Sequence, residues 1–198
     1  MTHNGFCSLE KIPFDIRYAT HNNFIGRPIA GYAANKCIVS NAVADALIIA
    51  QEKALAEGYS LIVFEAYRPL KAVEDIVQWS LNADIQNKDR FYPDIDKSTL
   101  FDQGYIALRS THTKGAAVDV TLINPMTKEE LDMGTEFDFF GPFSHTTSED
   151  ISTSAKGNRQ LLLSIMESSG FINYHKEWWH FTLKDEPFPN TYFDFDIV

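Results

Sequence analysis

The sequence predicts an α+β fold, one domain spanning residues 1–198 with a mostly antiparallel central sheet flanked by helices. Three observations carry that expectation. Helical and β-like stretches are mixed along the chain. The last two β-like stretches lie close enough to pair through a short turn. The 198 residues, 44% of them hydrophobic, hold no internal repeat and no Pro/Gly/Ser linker that would divide them.

Residues 12–40 read as irregular, with a short strand at 15–18 and turn chemistry at Asn22-Asn23 and Gly26-Arg27-Pro28. Residues 41–57 form a helix, because Val43, Leu47, Ala50 and Ala54 recur at spacings of four, three and four. Ser40 or Asn41 can cap its start and Gly58 can close its end. The continuous apolar run in 60–66 predicts a central strand, ended by Tyr67-Arg68-Pro69, since the residue before a proline is pushed to extended geometry. A second helix follows at 70–81, with Val73, Ile76, Val77 and Leu81 on one face. Residues 82–109 are polar and read as a loop with a short helix near 98–103. A strand runs from 116 to about 123, and 124–150 form a long excursion of the kind that often carries function. A third helix is expected at 158–168, and strands at 171–174 and 178–183.

A net charge of −10 argues against nucleic acid or an anionic lipid surface as partner, because phosphate contacts need a basic face. The longest apolar runs, 46–50 and 61–64, fall far short of the roughly 20 residues that span a bilayer, so no membrane insertion is expected. The opening residues lack a basic segment followed by an apolar one. The expected location is the cytoplasm, or the periplasm if a leader has been removed. Cys7 and Cys37 fit no zinc or redox spacing and read as a pair or as two buried thiols, the second favoured in a reducing cytosol, so a metal here would use histidine and carboxylate.

The segment from Ser110 to Val120 sets His112 and Asp119 on either side of Gly115. A strict strand alternates faces, so residues seven apart point to opposite sides. The two converge only if the chain bends between them, and Gly115 permits a bend. Alone the pair is explained as well by a hydrogen-bonded histidine–aspartate contact. Glu177-Trp178-Trp179-His180 is the second half. Glu177, three before His180, would oppose it in a strand, so it reads as a turn residue reaching over a site, a proton carrier and not a ligand. An exposed glutamate beside a core histidine fits that spacing too. Together His112, Asp119 and His180 make three ligands with an open fourth position, the pattern of catalytic zinc. Glu177 would then be general base and acid. Arg68, at the exit of the apolar strand, would meet a developing oxyanion, with a surface salt bridge as its alternative.

Ser110-x-His112-x-x-Gly115-x-Ala117-x-Asp119 followed by Glu177-x-Trp179-His180 resembles the paired signature of the zinc D-alanyl-D-alanine dipeptidases of vancomycin-resistance type, in the wider D-Ala-D-Ala metallopeptidase family with its hedgehog-like fold. The segments 15–20 with Asn23-Phe24-x-Gly26, Ala66-Tyr67-Arg68-Pro69, and Met133-Gly134-Thr135-x-Phe137-Asp138 with Ser144-His145 are similar too, so the resemblance covers about 12–185. It implies one zinc per chain on His112, Asp119 and His180, Glu177 as catalytic base, and Arg68 as stabiliser of the tetrahedral intermediate. It implies that Ser110, Tyr18 and Asp138 line a small pocket, Asp138 meeting the substrate ammonium and Ser110 its carboxylate end. The implied reaction is hydrolysis of the D-Ala-D-Ala dipeptide to two D-alanines. A D,D-carboxypeptidase for longer cell-wall peptides and a non-catalytic zinc module are alternatives on the same scaffold. Self-association into a homo-oligomer is a further family expectation. Among the other histidines, His3, His21 and His175 read as terminal or turn residues, and His145 as structural or supporting the site.

Overall fold

The computed structural model describes residues 3–198. Strands β1 (Phe6–Ser8) and β2 (Ile38–Ser40) pair antiparallel. Helix α1 (Asn41–Ala56) follows at once, its first turn capped by Ser40, whose hydroxyl accepts from the Val43 N–H. Strand β3 (Ser60–Glu65), helix α2 (Leu70–Leu81), the short helix α3 (Lys88–Phe91) and strand β4 (Ala117–Ile123) come next. Helix α4 (Thr153–Glu167) and strands β5 (Phe171–Asn173) and β6 (His180–Leu183) end the ordered elements.

The main sheet runs β3-β4-β6-β5, every neighbouring pair antiparallel. Its central strand β4 is buried at every residue, which is why its sequence, Ala-Val-Asp-Val-Thr-Leu-Ile, hardly alternates. Leu61, Val63, Val118, Val120, Leu122 and Phe181 are fully enclosed. Each such side chain stabilises the fold by roughly 1.5–3 kcal/mol relative to exposure. Helix α1 packs on β3 and α4 on β5, and the two helices touch each other.

One irregularity decides the site. The β3–β4 register pairs Val63 with Val120 and then Glu65 with Asp119, so a bulge falls between Val63 and Glu65. A bulge inserts one residue and flips the alternation beyond it. Glu65, Asp119 and His180 thereby stand abreast across three adjacent strands, because Asp119 also pairs directly with His180.

Several expected bounds shift, each for a local reason. Residues 15–18 do not form a strand. The Asp15 N–H donates to the Val63 carbonyl and Phe14 bridges Val63, and then the chain turns into a 3-10 turn at Arg17–Ala19. The Asn23 amide gathers that turn by donating to the carbonyls of Arg17, Thr20 and Arg27. The short strand β2 lies where irregular chain was expected. A 3-10 turn at Lys97–Thr99 replaces the short helix expected near 98–103. Helix α4 starts five residues early, capped by Ser152, within a Ser/Thr-rich run that reads as loop. Strand β6 starts at His180, not 178, because Trp178 turns away to donate its N–H to the Ser144 carbonyl.

Candidate metal centre and active site

His112 opens a 3-10 turn, His112–Lys114, that ends on Gly115 in the left-handed region at φ 66°. The Gly115 N–H closes the turn on the His112 carbonyl, and β4 starts two residues later. This is the bend that two ligands seven residues apart require. The position is closed to bulk by more than its backbone. A Cβ there would lie 2.5 Å from the Phe6 ring. Phe6 packs edge-on or stacked with Tyr67, Phe188, Phe193 and Phe195. Substitution at 115 therefore strains fold and site together.

The turn brings His112 Nε2 within 3.3 Å of Asp119 Oδ1 and 3.1 Å of His180 Nδ1. Asp119 Oδ1 and His180 Nδ1 are 3.1 Å apart. A tetrahedral ion with ligands at about 2.0–2.1 Å needs donor separations of about 3.3 Å, so these residues fit such an ion. Both imidazoles have a partner for the ring nitrogen that faces away. His112 Nδ1 lies 2.7 Å from the Ala66 carbonyl and 2.9 Å from Glu65 Oε2. His180 Nε2 lies 3.3 Å from Thr182 Oγ1. Donation from those nitrogens leaves a lone pair on each of the other two, aimed at one point.

Electrostatics match that arrangement. Burial alone would push the His112 imidazole down, but the carboxylates of Glu65 and Asp119 override it and hold it up at about 10. Burial would raise Asp119, and the neighbouring His112 and His180 instead hold it below the usual carboxylate range. The cluster thus demands positive charge.

Glu177 sits in the turn between β5 and β6, with Oε2 3.8 Å from His180 Nδ1. Burial, reinforced by Asp119, pushes its carboxyl up to about 8 against the opposing pull of Arg68 and His112. Arg68 donates through Nη2 to Glu65 Oε2 at 2.8 Å, while its Nε is buried with no partner among the described residues. Its guanidinium lies 5.1 Å from the centre of the Tyr18 ring. Asp138 stands at the tip of the excursion with φ 62°, uncommon for a residue other than glycine. Its Oδ1 accepts from Tyr18 Oη at 3.4 Å, and its Oδ2 is buried without a partner among the described residues. Burial first, then Asp119 and Glu177, push its carboxyl well above the usual range. Ser110 Oγ accepts from the His112 N–H at 3.2 Å. All eight residues singled out in the sequence border one cavity of about 470 Å³.

Sequence reasoning missed Glu65. It is fully buried and accepts from Tyr32 Oη and Arg68 while touching His112. Burial would raise its carboxyl, and Arg68 and His112 instead lower it. An acid closing an apolar strand was the available signal, but its direction depends on the bulge. Tyr105 and Tyr174 on the cavity wall were missed as well. The remaining histidines stay outside the triad. Nε2 of His145 lies 3.1 Å from Tyr105 Oη, and His175 packs against Tyr174 and His145.

Three converging donors, a separate buried carboxyl and an arginine on one cavity are the equipment of a metal-dependent hydrolase. Residues 7–198 match the peptidase family described as D-ala-D-ala dipeptidase. The D-alanyl-D-alanine dipeptidase of Enterococcus faecium is 41% identical over 198 residues, 98% of each chain. That of Enterococcus faecalis is 42% identical over 199 residues, again 98% of each. That of Streptomyces coelicolor is 44% identical over 188 residues, 94% of this chain and 93% of its own. The chain belongs to this D-Ala-D-Ala dipeptidase family. Among the described residues, no helix is long and apolar enough to cross a membrane.

Proposed function

We propose that this chain is a zinc-dependent dipeptidase that hydrolyses free D-alanyl-D-alanine to two D-alanines. Its whole length would act as one peptidase domain. His112 Nε2, Asp119 Oδ1 and His180 Nδ1 would hold the ion, and two imidazoles with one carboxylate, without thiolates, suit zinc. Zinc bound there would supply Lewis acidity, polarising the scissile carbonyl and making water a nucleophile near neutral pH.

The chain's own groups do the rest. Glu177 takes a proton from the attacking water and passes it to the leaving amine, so that one carboxyl serves both halves of the hydrolysis. Burial, the largest influence on this carboxyl, favours the protonated form that it must pass through between the two halves. Arg68, fixed by Glu65 and bordering the cavity, offers its guanidinium to the oxyanion of the tetrahedral intermediate. Ser110 spends one lone pair on the His112 N–H, and its own O–H is free to donate to the substrate carboxylate.

The observation that carries the choice of a free dipeptide is Asp138. Asp138 borders the cavity, and its Oδ2, which has no partner among the described residues, is a buried orphan that costs stability unless a ligand satisfies it. A substrate ammonium would supply hydrogen bonds and charge at once, and an acylated nitrogen would supply no charge. Tyr18 holds the other oxygen and fixes the direction. The test is a panel of free D,D-, D,L- and L,L-dipeptides with an N-acylated D,D-tripeptide, on zinc-loaded protein. Turnover concentrated on the free D,D-dipeptide is expected. Strong turnover of the acylated tripeptide would make the chain a carboxypeptidase and sink the proposal.

A further inference from the structure

Arg159, on α4, lies outside the cavity and is only 2% exposed. Its guanidinium has no carboxylate within ion-pair distance among the described residues. It donates to three backbone carbonyls instead: Nε to Met133 at 2.7 Å, Nη1 to His145 at 2.6 Å and Nη2 to Phe143 at 2.8 Å. Burying a cation against neutral acceptors is costly, and its charged form is correspondingly weakened by desolvation.

The three carbonyls explain the arrangement. Met133 lies at one stem of the excursion, and Phe143 and His145 lie at the other. Arg159 therefore closes the neck of a loop whose tip carries Asp138. The same neck is joined to the segment that follows Glu177: the Trp178 N–H donates to the Ser144 carbonyl and its indole to Thr135 Oγ1 at 2.8 Å. The guanidinium lies 5.9 Å from the centre of the Trp178 ring. Asp138 itself is strained, at φ 62°, and among the described residues its carboxylate takes one hydrogen bond, a long one from Tyr18. Strain of this kind persists where the surroundings over-determine it, and the closed neck adds to the constraint nearer the tip, where the Phe140 N–H donates to the Phe91 carbonyl at 2.7 Å and the Ser144 hydroxyl to the Phe139 carbonyl.

We propose that Arg159 is a positioning residue for substrate recognition: by closing the neck of the excursion it sets where the Asp138 carboxylate meets the substrate's amino end. This rests on the reading of Asp138 as the ammonium partner. Lysine cannot replace the fork, because an ammonium is a point charge and cannot span three carbonyls in one plane.

The test is steady-state kinetics on free D-Ala-D-Ala for zinc-loaded wild type, Arg159→Lys, Asp138→Asn and the double variant, with zinc content measured on each. We expect Arg159→Lys to raise KM roughly ten- to hundredfold, as a misplaced positioning group does. Its kcat and zinc content should be nearly unchanged. Adding Arg159→Lys to Asp138→Asn should raise KM no further, because one carboxylate carries both effects. A KM that stays at the wild-type value, with kcat falling in proportion to folded protein, would make Arg159 a stability element only and overturn the inference. So would full additivity in the double variant. If Asp138→Asn leaves KM unchanged, the reading of Asp138 itself fails, an outcome distinct from a KM that rises in Asp138→Asn alone. Arg159→Gln, which keeps donors without the charge, carries the same test should the lysine variant not accumulate as folded protein.

Discussion

The two halves of the site are built differently. The half proposed for catalysis is anchored in strand register: Glu65, Asp119 and His180 are abreast on β3, β4 and β6, while His112 comes from the 3-10 turn that leads into β4 and Glu177 from the turn between β5 and β6. The recognition half stands on a loop, with Asp138 at the tip of an excursion held by side chains of α4 and of the β5–β6 turn. Ligand geometry tolerates little error, and hydrogen-bonded strands deliver it. A loop can be reshaped without disturbing the ladder, so the choice of substrate is separable from the chemistry. In this molecule three side-chain-to-carbonyl bonds do for the loop what a ladder does for the strands.

Perturbations of the two halves should therefore differ in kind. The largest effect is expected for Glu177→Gln in the catalytic half. It should lower kcat by about 10²–10⁴, the usual range for losing a general acid–base, with metal content unchanged. Glu65→Gln should weaken zinc binding by roughly 10–100-fold in competition with a chelator, as loss of a partner to a ligating imidazole does. It should lower kcat too, because Arg68 loses its carboxylate. In the recognition half, Asp138→Asn should raise KM for the free dipeptide by roughly tenfold or more, since a hydrogen bond to a charged group contributes about 1.5–3 kcal/mol. It should leave zinc affinity at the wild-type level. A change of zinc affinity in Asp138→Asn would break the division between the halves.

The smallest effect concerns stability without metal. Folding raises the Glu177 carboxyl from the ordinary range to about 8. Between those values the folded chain holds a proton that the unfolded chain releases. Stability contributed at this site thus falls as pH rises from about 4.5 to about 8. In metal-free protein, Glu177→Gln should be neutral at pH 4. At pH 9 it should be stabilising by on the order of 1–2 kcal/mol, allowing for the solvent that reaches a side chain 14% exposed. Thermal denaturation at the two pH values checks this, and equal melting shifts at both would contradict it.

How far each half can be read from the chain follows from the same contrast. His112, Gly115 and Asp119 lie within one short segment, and Glu177 and His180 within another, so spacing and a single bend suffice to bring them together. The helices α1 and α2 show their apolar spacing directly and end where expected or one residue from it. Glu65 was illegible because a bulge decides its face, and no residue type announces that bulge. Arg159 was illegible for a different reason. On sequence it is a polar residue early in a helix, and only the folded excursion turns its surroundings into a ring of carbonyls. The pairing of β1 with β2 depends on contacts across some thirty residues of turns, which no local pattern encodes.

The claim at the centre of this account is a metal held by His112, Asp119 and His180, with Glu177 beside it as a proton carrier and not a ligand. Metal analysis of wild type and Glu177→Ala, purified without chelator and assayed on D-Ala-D-Ala, tests it most directly. One zinc per chain is expected in both proteins, with turnover in wild type alone. Zinc lost from Glu177→Ala, or absent from an active wild type, would contradict it.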